Sequence, residues 1–299
     1  MFGVINIYKP KGLTSHDVVG IVRKILNIKQ VGHTGTLDPF AEGVLPICIG
    51  KATRLIEYFD DDKEYIATIK FGVSTDTYDT EGKVTQRSTQ NISEEEIRTC
   101  LKKFLGEVEQ IPPIFSAIKV NGKKLYEYAR AGEKITPKSR KVTIYNINLM
   151  NFNYEEQTAN VLISCSKGTY IRSIANDLGT TLGCGAHLIK LIRTQAGKHR
   201  IENSATLPIK LNSETKKYTI DDNAEEFLTK YVQDPINSLS IEKIEISDNE
   251  YNKVKHGNAI KINNPKFKSG DFLILIYNKH IIAIGQYIES EIKVKKVFE

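Results

Sequence analysis

The sequence lacks the features that would assign it to several large protein classes. No stretch of about eighteen apolar residues occurs, so no segment reads as a membrane-spanning helix. The N-terminus, Met1-Phe2-Gly3-Val4-Ile5-Asn6, has no basic segment leading into an apolar one, which argues against a secretion signal. Only four cysteines are present, Cys48, Cys100, Cys165 and Cys184, and no two stand at C-x-x-C spacing. In a chain of 299 residues they make no disulfide scaffold and read as small buried hydrophobes in a reducing cytoplasm. There is no G-x-G-x-x-G fingerprint and no Walker loop, so nothing points to a nucleotide cofactor. His33 forms no metal-ligand spacing with His16, His187 or His199. Internal repeats and low-complexity tracts are missing too.

What is present suits a globular chain. Hydrophobic residues make up 40%, enough for a sizeable core, and the length fits one large domain or a large and a small one. Val18, Ile21, Val22 and Ile25 recur at helical spacing, predicting a helix over 14–26 with Thr14 and Ser15 at its start. Tyr65, Ala67, Ile69 and Phe71 alternate as one face of a strand. Ser93 and Glu96 form a capping box for a helix over 93–105 that Gly106 ends. Strands are expected over 142–150 and 161–165, and a helix carrying Ile171, Ile174, Ala175 and Leu178 stops near Gly183. No regular βαβα rhythm appears, so the expected class is α+β, with a mixed, largely antiparallel sheet flanked by helices. The composition shifts near Asn237, after a charged stretch over 212–226. Strand-like runs over 272–277 and 281–287 follow, with a turn at Asn278-Lys279-His280. The expected division is residues 1–236 and a small β module, residues 237–299.

The formal charge of +6 and pI of about 8.9 hint weakly at a polyanionic partner. The charge is concentrated. Segment 119–141 holds eight basic residues (Lys119, Lys123, Lys124, Arg130, Lys134, Lys138, Arg140, Lys141) against Glu127 and Glu133. Segment 166–200 holds six against Asp177. The first also carries Tyr126 and Tyr128, an interleaving suited to a strand of nucleic acid, although either segment alone reads equally well as a solvated face.

The densest passage is Gly32-His33-Thr34-Gly35-Thr36-Leu37-Asp38-Pro39-Phe40-Ala41-Glu42-Gly43-Val44-Leu45-Pro46. Glycines and prolines around one acid describe a shaped loop. By these residues alone Asp38 is either a functional carboxylate or an Asx-turn capping the backbone. By periodicity alone Tyr65 belongs to a strand core, Tyr170 and Leu191 to ordinary core, and Arg172 to a position one step off the apolar face of its helix.

The passage resembles the signature G-H-T-G-[AT]-L-D-P-x-A-x-G-[VL]-L of the TruB family of tRNA pseudouridine-55 synthases. Further resemblances follow in order: Lys9-Pro10-Lys11-Gly12-Leu13-Thr14-Ser15, Lys63-Glu64-Tyr65 with Gly72, Thr75-Asp76-Thr77-Tyr78-Asp79, Pro112-Pro113-Ile114-Phe115-Ser116-Ala117-Ile118-Lys119, and Ser166-Lys167-Gly168-Thr169-Tyr170-Ile171-Arg172. The resemblance is strong to about residue 200. It is fainter beyond, where the last module resembles a PUA-like RNA-binding domain. Lys124 stands where many members have arginine.

The resemblance implies a reaction that breaks the N1–C1′ bond of uridine, turns the base and joins C5 to C1′. Such an isomerisation needs no cofactor and no metal. Asp38 is then the catalytic carboxylate, Arg172 the cation that pairs with it and keeps it ionised, and Tyr65 the residue that stacks on the uracil and removes the C5 proton. Substrate contacts are implied for His33, Tyr170, Leu191, Lys9 and Asp76, and for the clamp residues Lys119, Lys123, Lys124 and Arg130. The implied partner is the T-arm stem-loop of tRNA, whose target base must be flipped out, bound by a cytoplasmic monomer. Rival readings are a pseudouridine synthase for another RNA, a tRNA-binding folding factor, and a metal-dependent hydrolase using Asp38, Asp76 and Asp79. The missing ligand cluster argues against the last.

Overall fold

Burial of alternating and helical apolar faces organises the chain into two β layers with helices. The computed structural model describes residues 1–299 except Lys134, Ser213, Lys216, Asn263, Pro265 and Glu299. Lys134 of the basic segment therefore lies outside the described residues. Strand β1 (Gly3–Lys9) leads into helix α1 (Ser15–Leu26), which Thr14 caps as expected, and the cap is a full capping box: Thr14 accepts from the Asp17 amide while Asp17 accepts from Thr14. Such a cap stabilises by about 0.5–2 kcal/mol. Asn27 ends α1 in the left-handed conformation. Then come β2 (Val31–His33), β3 (Glu42–Ile49) and β4 (Lys63–Phe71). Every second residue of β4, from Tyr65 to Phe71, is buried, as its alternation predicts.

Helix α2 (Glu94–Leu101) carries the Ser93–Glu96 capping box but is shorter than expected. Its last turn tightens to a 3₁₀ turn over Lys102–Phe104 before Gly106 (φ +90°) turns the chain. Next are β5 (Gly106–Gln110), β6 (Arg140–Asn153), β7 (Thr158–Cys165), α3 (Ile171–Thr181), β8 (Ala186–Ala196), β9 (His199–Arg200) and β10 (Ala205–Thr206). Ten strands form one mixed sheet in the order β10-β1-β3-β8-β4-β7-β6-β5, with β2 on β3 and β9 on β8. The β1–β10 and β3–β8 pairs are parallel and the others antiparallel. Helices α2 and α3 cover β4, β7 and β8, while α1 covers β1, β2 and β3. Each isoleucine or leucine fully buried there contributes roughly 1.5–3 kcal/mol.

A second sheet is built from β11 (Glu242–Glu245), β12 (Ile260–Lys261), β13 (Phe272–Tyr277), β14 (His280–Ile288) and β15 (Glu291–Val297), in the order β11-β13-β14-β15-β12. The β13–β14 turn is made by Asn278 and Lys279, both at positive φ; His280 belongs to β14. This sheet packs on the first through Ile274, Ile276, Ile281, Ile284 and Phe298 against Val4, Cys48, Leu55 and Phe59. Among the described residues no helix is long and apolar enough to cross a membrane.

One close approach positions the site. Gly43 on β3 pairs with Arg193 on β8 at φ +109°, and a Cβ there would lie 2.3 Å from the Arg193 carbonyl oxygen. Gly12 has a similar φ of +93° but open space around it. Backbone strain of this kind costs about 1–3 kcal/mol. Gly43→Ala is therefore expected to lower the urea midpoint well below that of Gly12→Ala, which carries the strain without the clash. Equal midpoints would show that β3 and β8 have room to separate.

Candidate active site

The loop between β2 and β3 is fixed from three directions. From below, Ser15 at the start of α1 donates to the Leu37 carbonyl (3.1 Å) and accepts from the Leu37 amide (2.8 Å). The fully buried Lys9 ammonium donates to the carbonyls of Pro10, Leu13 and Pro39, and the Gly12 amide also donates to Pro39. From the side, buried Arg193 donates through Nη2 to Gly35 (3.0 Å), through Nη1 to Thr36 (3.3 Å) and through Nε to Val44 (2.7 Å). The third contact is an ion pair at Asp38 itself.

Arg172, in the first turn of α3, is buried between two carboxylates. Its Nε lies 2.9 Å from Asp38 Oδ2, close as an ion pair although the N–H is not aligned as a hydrogen bond. Nη2 donates to Asp38 Oδ1 (3.3 Å) and to the Phe115 carbonyl (3.0 Å). Nη1 donates to Asp79 Oδ2 (3.3 Å) and to the Thr77 carbonyl (3.2 Å). Asp38 keeps 35% of its side-chain surface, opening onto cavities inside dense protein. Burial raises its pKa above the ordinary value; Arg172 opposes the rise and Asp79 adds to it. The guanidinium thus acts in the expected direction, but desolvation outweighs it.

Asp38 borders a cavity of about 300 Å³ walled by Tyr65, Leu191, Tyr170, Lys63 and Arg193. Tyr65 is buried to 8% exposure and belongs to the main core cluster, so strand core and pocket wall are both true of it. Burial pushes its phenol pKa up, and Arg193 beside it pulls the other way. Lys63 is lowered to about 8, by burial first and by Arg193 second. Tyr170 is held by a two-way bond between its backbone and the Gln110 amide, with the Arg140 guanidinium 4.8 Å from its ring centre. A second cavity, of about 400 Å³, lies on the other side of Asp38 against Asp79, Phe115, Tyr126 and Arg130.

The other residues singled out in the sequence lie outside the wall of the first cavity. Lys9 sits under the loop with its ammonium spent on carbonyls, its pKa lowered to about 8 by burial. His33 precedes the cavity wall; its Nδ1 is buried without a hydrogen-bond partner among the described residues, and burial lowers its pKa. Asp76 is exposed and caps a turn by accepting from the Lys83 amide; Asp79 three residues on is the carboxylate brought to Arg172. Lys119, Lys123 and Lys124 form a small hairpin and Arg130 ends the short helix after it. Lys123 pairs with Glu133 at 2.7 Å, and Lys124 and Arg130 both lie over the Tyr126 ring. Among the described residues no three metal-ligating side chains gather. Sequence reasoning passed over Arg193, and Asp79 entered it only within its motif and as a carboxylate of the hydrolase reading, not as a partner of Arg172. The alternation Leu191, Arg193 on β8 was the available signal for the first, since it puts a charge on a core face.

Residues 23–171 match the family model described as the N-terminal domain of TruB family pseudouridylate synthases, and residues 172–239 match that of the tRNA pseudouridylate synthase B C-terminal domain. The chain is 43% identical to tRNA pseudouridine synthase B of Clostridium tetani, over 99% of both chains. It is 41% identical to that of Carboxydothermus hydrogenoformans, over 100% of this chain and 99% of the relative. Among solved structures it resembles a chain of a Cbf5-Nop10-Gar1 complex (TM-score 0.74, 29% identity, covering 100% of this chain and 85% of that one). It also resembles a chain of an H/ACA RNP bound to a substrate RNA containing 2′-deoxyuridine (TM-score 0.72, 27% identity, 100% and 85%).

The charge arrangement fixes the sign of one titration. Arg172 is the largest influence holding the Asp38 pKa down, so Arg172→Met is expected to raise its midpoint and shrink its ionised fraction at any given pH. Carboxyl-¹³C titration, with Asp38→Asn to assign the resonance, reads this directly. A midpoint unmoved by Arg172→Met would mean that burial alone sets it.

Proposed function

The chain belongs to the TruB family of pseudouridylate synthases, and from that premise we propose that Asp38, Arg172 and Tyr65 convert the T-loop uridine at position 55 of tRNA to pseudouridine. The chain is a tRNA pseudouridine synthase, an isomerase. One observation carries the site assignment: the Asp38 carboxylate, paired with buried Arg172, borders a cavity that Tyr65 also lines.

The residues divide the work by chemistry. Asp38 acts on the sugar, as nucleophile at C1′ or as base at C2′, while the N1–C1′ bond breaks. Arg172 pairs with the carboxylate through Nε and Nη2, which favours its ionised form and orients it. The uracil then turns and C5 bonds to C1′. Tyr65 stacks on the base and takes the C5 proton, and N1 gains one. Electrons and atoms balance within the nucleotide, so neither cofactor nor metal enters the scheme. Tyr170 and Leu191 wall the base, and His33 meets nucleotides displaced when it flips.

RNA binding is assigned to the segment over 119–141 and to residues 237–299 as a PUA-like module, in a cytoplasmic monomer. Action on another RNA is the main rival, since the solved neighbours include an RNP. The full-length relatives named for tRNA are more similar, at 38–43% identity against 27–29%. A folding role could coexist with catalysis and leaves Asp38 and Arg172 in use.

The test is to incubate the protein with an unmodified T-stem-loop RNA and map pseudouridine. Modification is expected at the T-loop uridine. Asp38→Asn should bind the RNA normally and make no product. Product from that variant at near wild-type single-turnover rate would remove Asp38 from the chemistry.

The clamp is tested separately by salt. Neutralising Lys123, Lys124 and Arg130 together should weaken binding and reduce the slope of log K against log salt by roughly 0.7–0.9 for each phosphate left without its cation. An unaltered slope would put the RNA on another face.

A further inference from the structure

We propose that Arg193 is the positioning residue that holds the Tyr65 oxygen at the reaction centre and favours it as the phenolate that takes the C5 proton. The inference rests on the reading of Tyr65 as that base.

Arg193 and Tyr65 are direct cross-strand partners between β8 and β4, so their side chains rise from the same face of the sheet and both line the cavity beside Asp38. Arg193 is 1% exposed, and among the described residues it forms no ion pair with a carboxylate. A guanidinium buried so deeply needs partners for its charge and for five N–H donors. Three donors go to the carbonyls of Gly35, Thr36 and Val44. One N–H on each terminal nitrogen is left over, on a group that neighbours the phenol.

Three carbonyls satisfy directions but supply no negative charge. An oxygen that becomes anionic during turnover would supply it, and the Tyr65 oxygen is the ionisable neighbour on the same face. The groups that bear on that oxygen are Arg193 from β8, Cys165 from β7 and Asp38 from the loop. Burial, Cys165 and Asp38 all oppose its ionisation, and Arg193 alone favours it. The guanidinium keeps its own protons throughout. In this scheme Tyr65 has given its proton to solvent before the step. The C5–H bond then breaks, its electron pair restores the C5=C6 double bond, and the proton closes the phenol O–H. The same side chain grips both arms of the Asp38 loop, so it also sets the separation between the group acting on the sugar and the group acting on the base.

The test uses the full chain, a T-stem-loop RNA, and the same RNA deuterated at C5 of the target uridine. Arg193→Lys keeps a charge but cannot span three carbonyls and a phenol. It should slow single-turnover product formation at least tenfold with RNA affinity kept, and deuteration should slow it further. Tyr65→Phe should lose roughly 10²–10⁴-fold and show the isotope effect too. In the double variant Tyr65→Phe/Arg193→Lys, the second change should add nothing at this step. A slow Arg193→Lys with no isotope effect, or losses that multiply in the double variant, would leave Arg193 as a loop fastener and overturn the inference. Full turnover by Tyr65→Phe would instead overturn the reading of Tyr65 itself. If Arg193→Lys does not fold, Arg193→Gln is read by the same isotope criterion.

Discussion

Buried cations donating to backbone carbonyls hold the Asp38 loop, and the rest of the site depends on that hold. The loop lies outside the sheet, so its carbonyls have no ladder to satisfy them. Each one left unpaired in the interior would cost about 1–3 kcal/mol. Lys9 and Arg193 meet five of the carbonyl groups around the loop, at Pro10, Leu13, Pro39, Gly35 and Thr36. The cations gain in turn, because a buried charge without partners costs several kcal/mol. Gly43 is the geometric condition for this exchange, since only without a Cβ does β3 come close enough to β8 for Arg193 to reach Val44.

The same arrangement sets the electrostatics. Lys9, Arg172 and Arg193 are buried around two carboxylates, Asp38 and Asp79, and Lys63 adds a further cation at the cavity wall. The balance is positive, which suits the anionic polymer that the proposed function brings to this cavity. It also explains why Lys9 and Lys63 both fall to about 8: burial works against each ammonium, and Arg193 repels both. Asp38 goes the other way, raised by burial and by Asp79 despite Arg172. A carboxylate poised upward in this way is a better nucleophile or base than one pinned far below its ordinary pKa.

Much of this was legible in the residues where local rules decide. The cap at Thr14, the Ser93–Glu96 capping box, the alternation on β4 and the turn before β14 all follow from short-range chemistry. The end of α2 did not, because Lys102–Phe104 continue as a tighter 3₁₀ turn that helical periodicity does not distinguish. Arg172 sat one step off an apolar face, and periodicity allowed it to be exposed. It is buried because two carboxylates and two carbonyls, from 38, 77, 79 and 115, converge on it from distant parts of the chain. Asp76 and Asp79 are equivalent in a motif; only the turn at 75–79 decides that one caps the Lys83 amide and the other meets Arg172. Arg193 went unread for the same reason, since all its partners lie more than a hundred residues away.

Strand β8 is what brings these separate segments into register. It pairs in parallel with β3, which follows the Asp38 loop, and antiparallel with β4, which carries Tyr65. Leu191 and Arg193 stand two residues apart on it, so both face the cavity. A slip of one residue would turn both away and leave Lys190 and Ile192 in their place. Irregularities in the β4–β8 ladder fall between Leu188 and Lys190 and between Arg193 and Gln195, so the run from Lys190 to Arg193 is bounded at each end. Bulges at such positions re-aim side chains and stop slippage from spreading along the strand. The spacing between Asp38 and Tyr65 is therefore set by sheet geometry across three strands, and the loop inherits its precision from the sheet through Arg193.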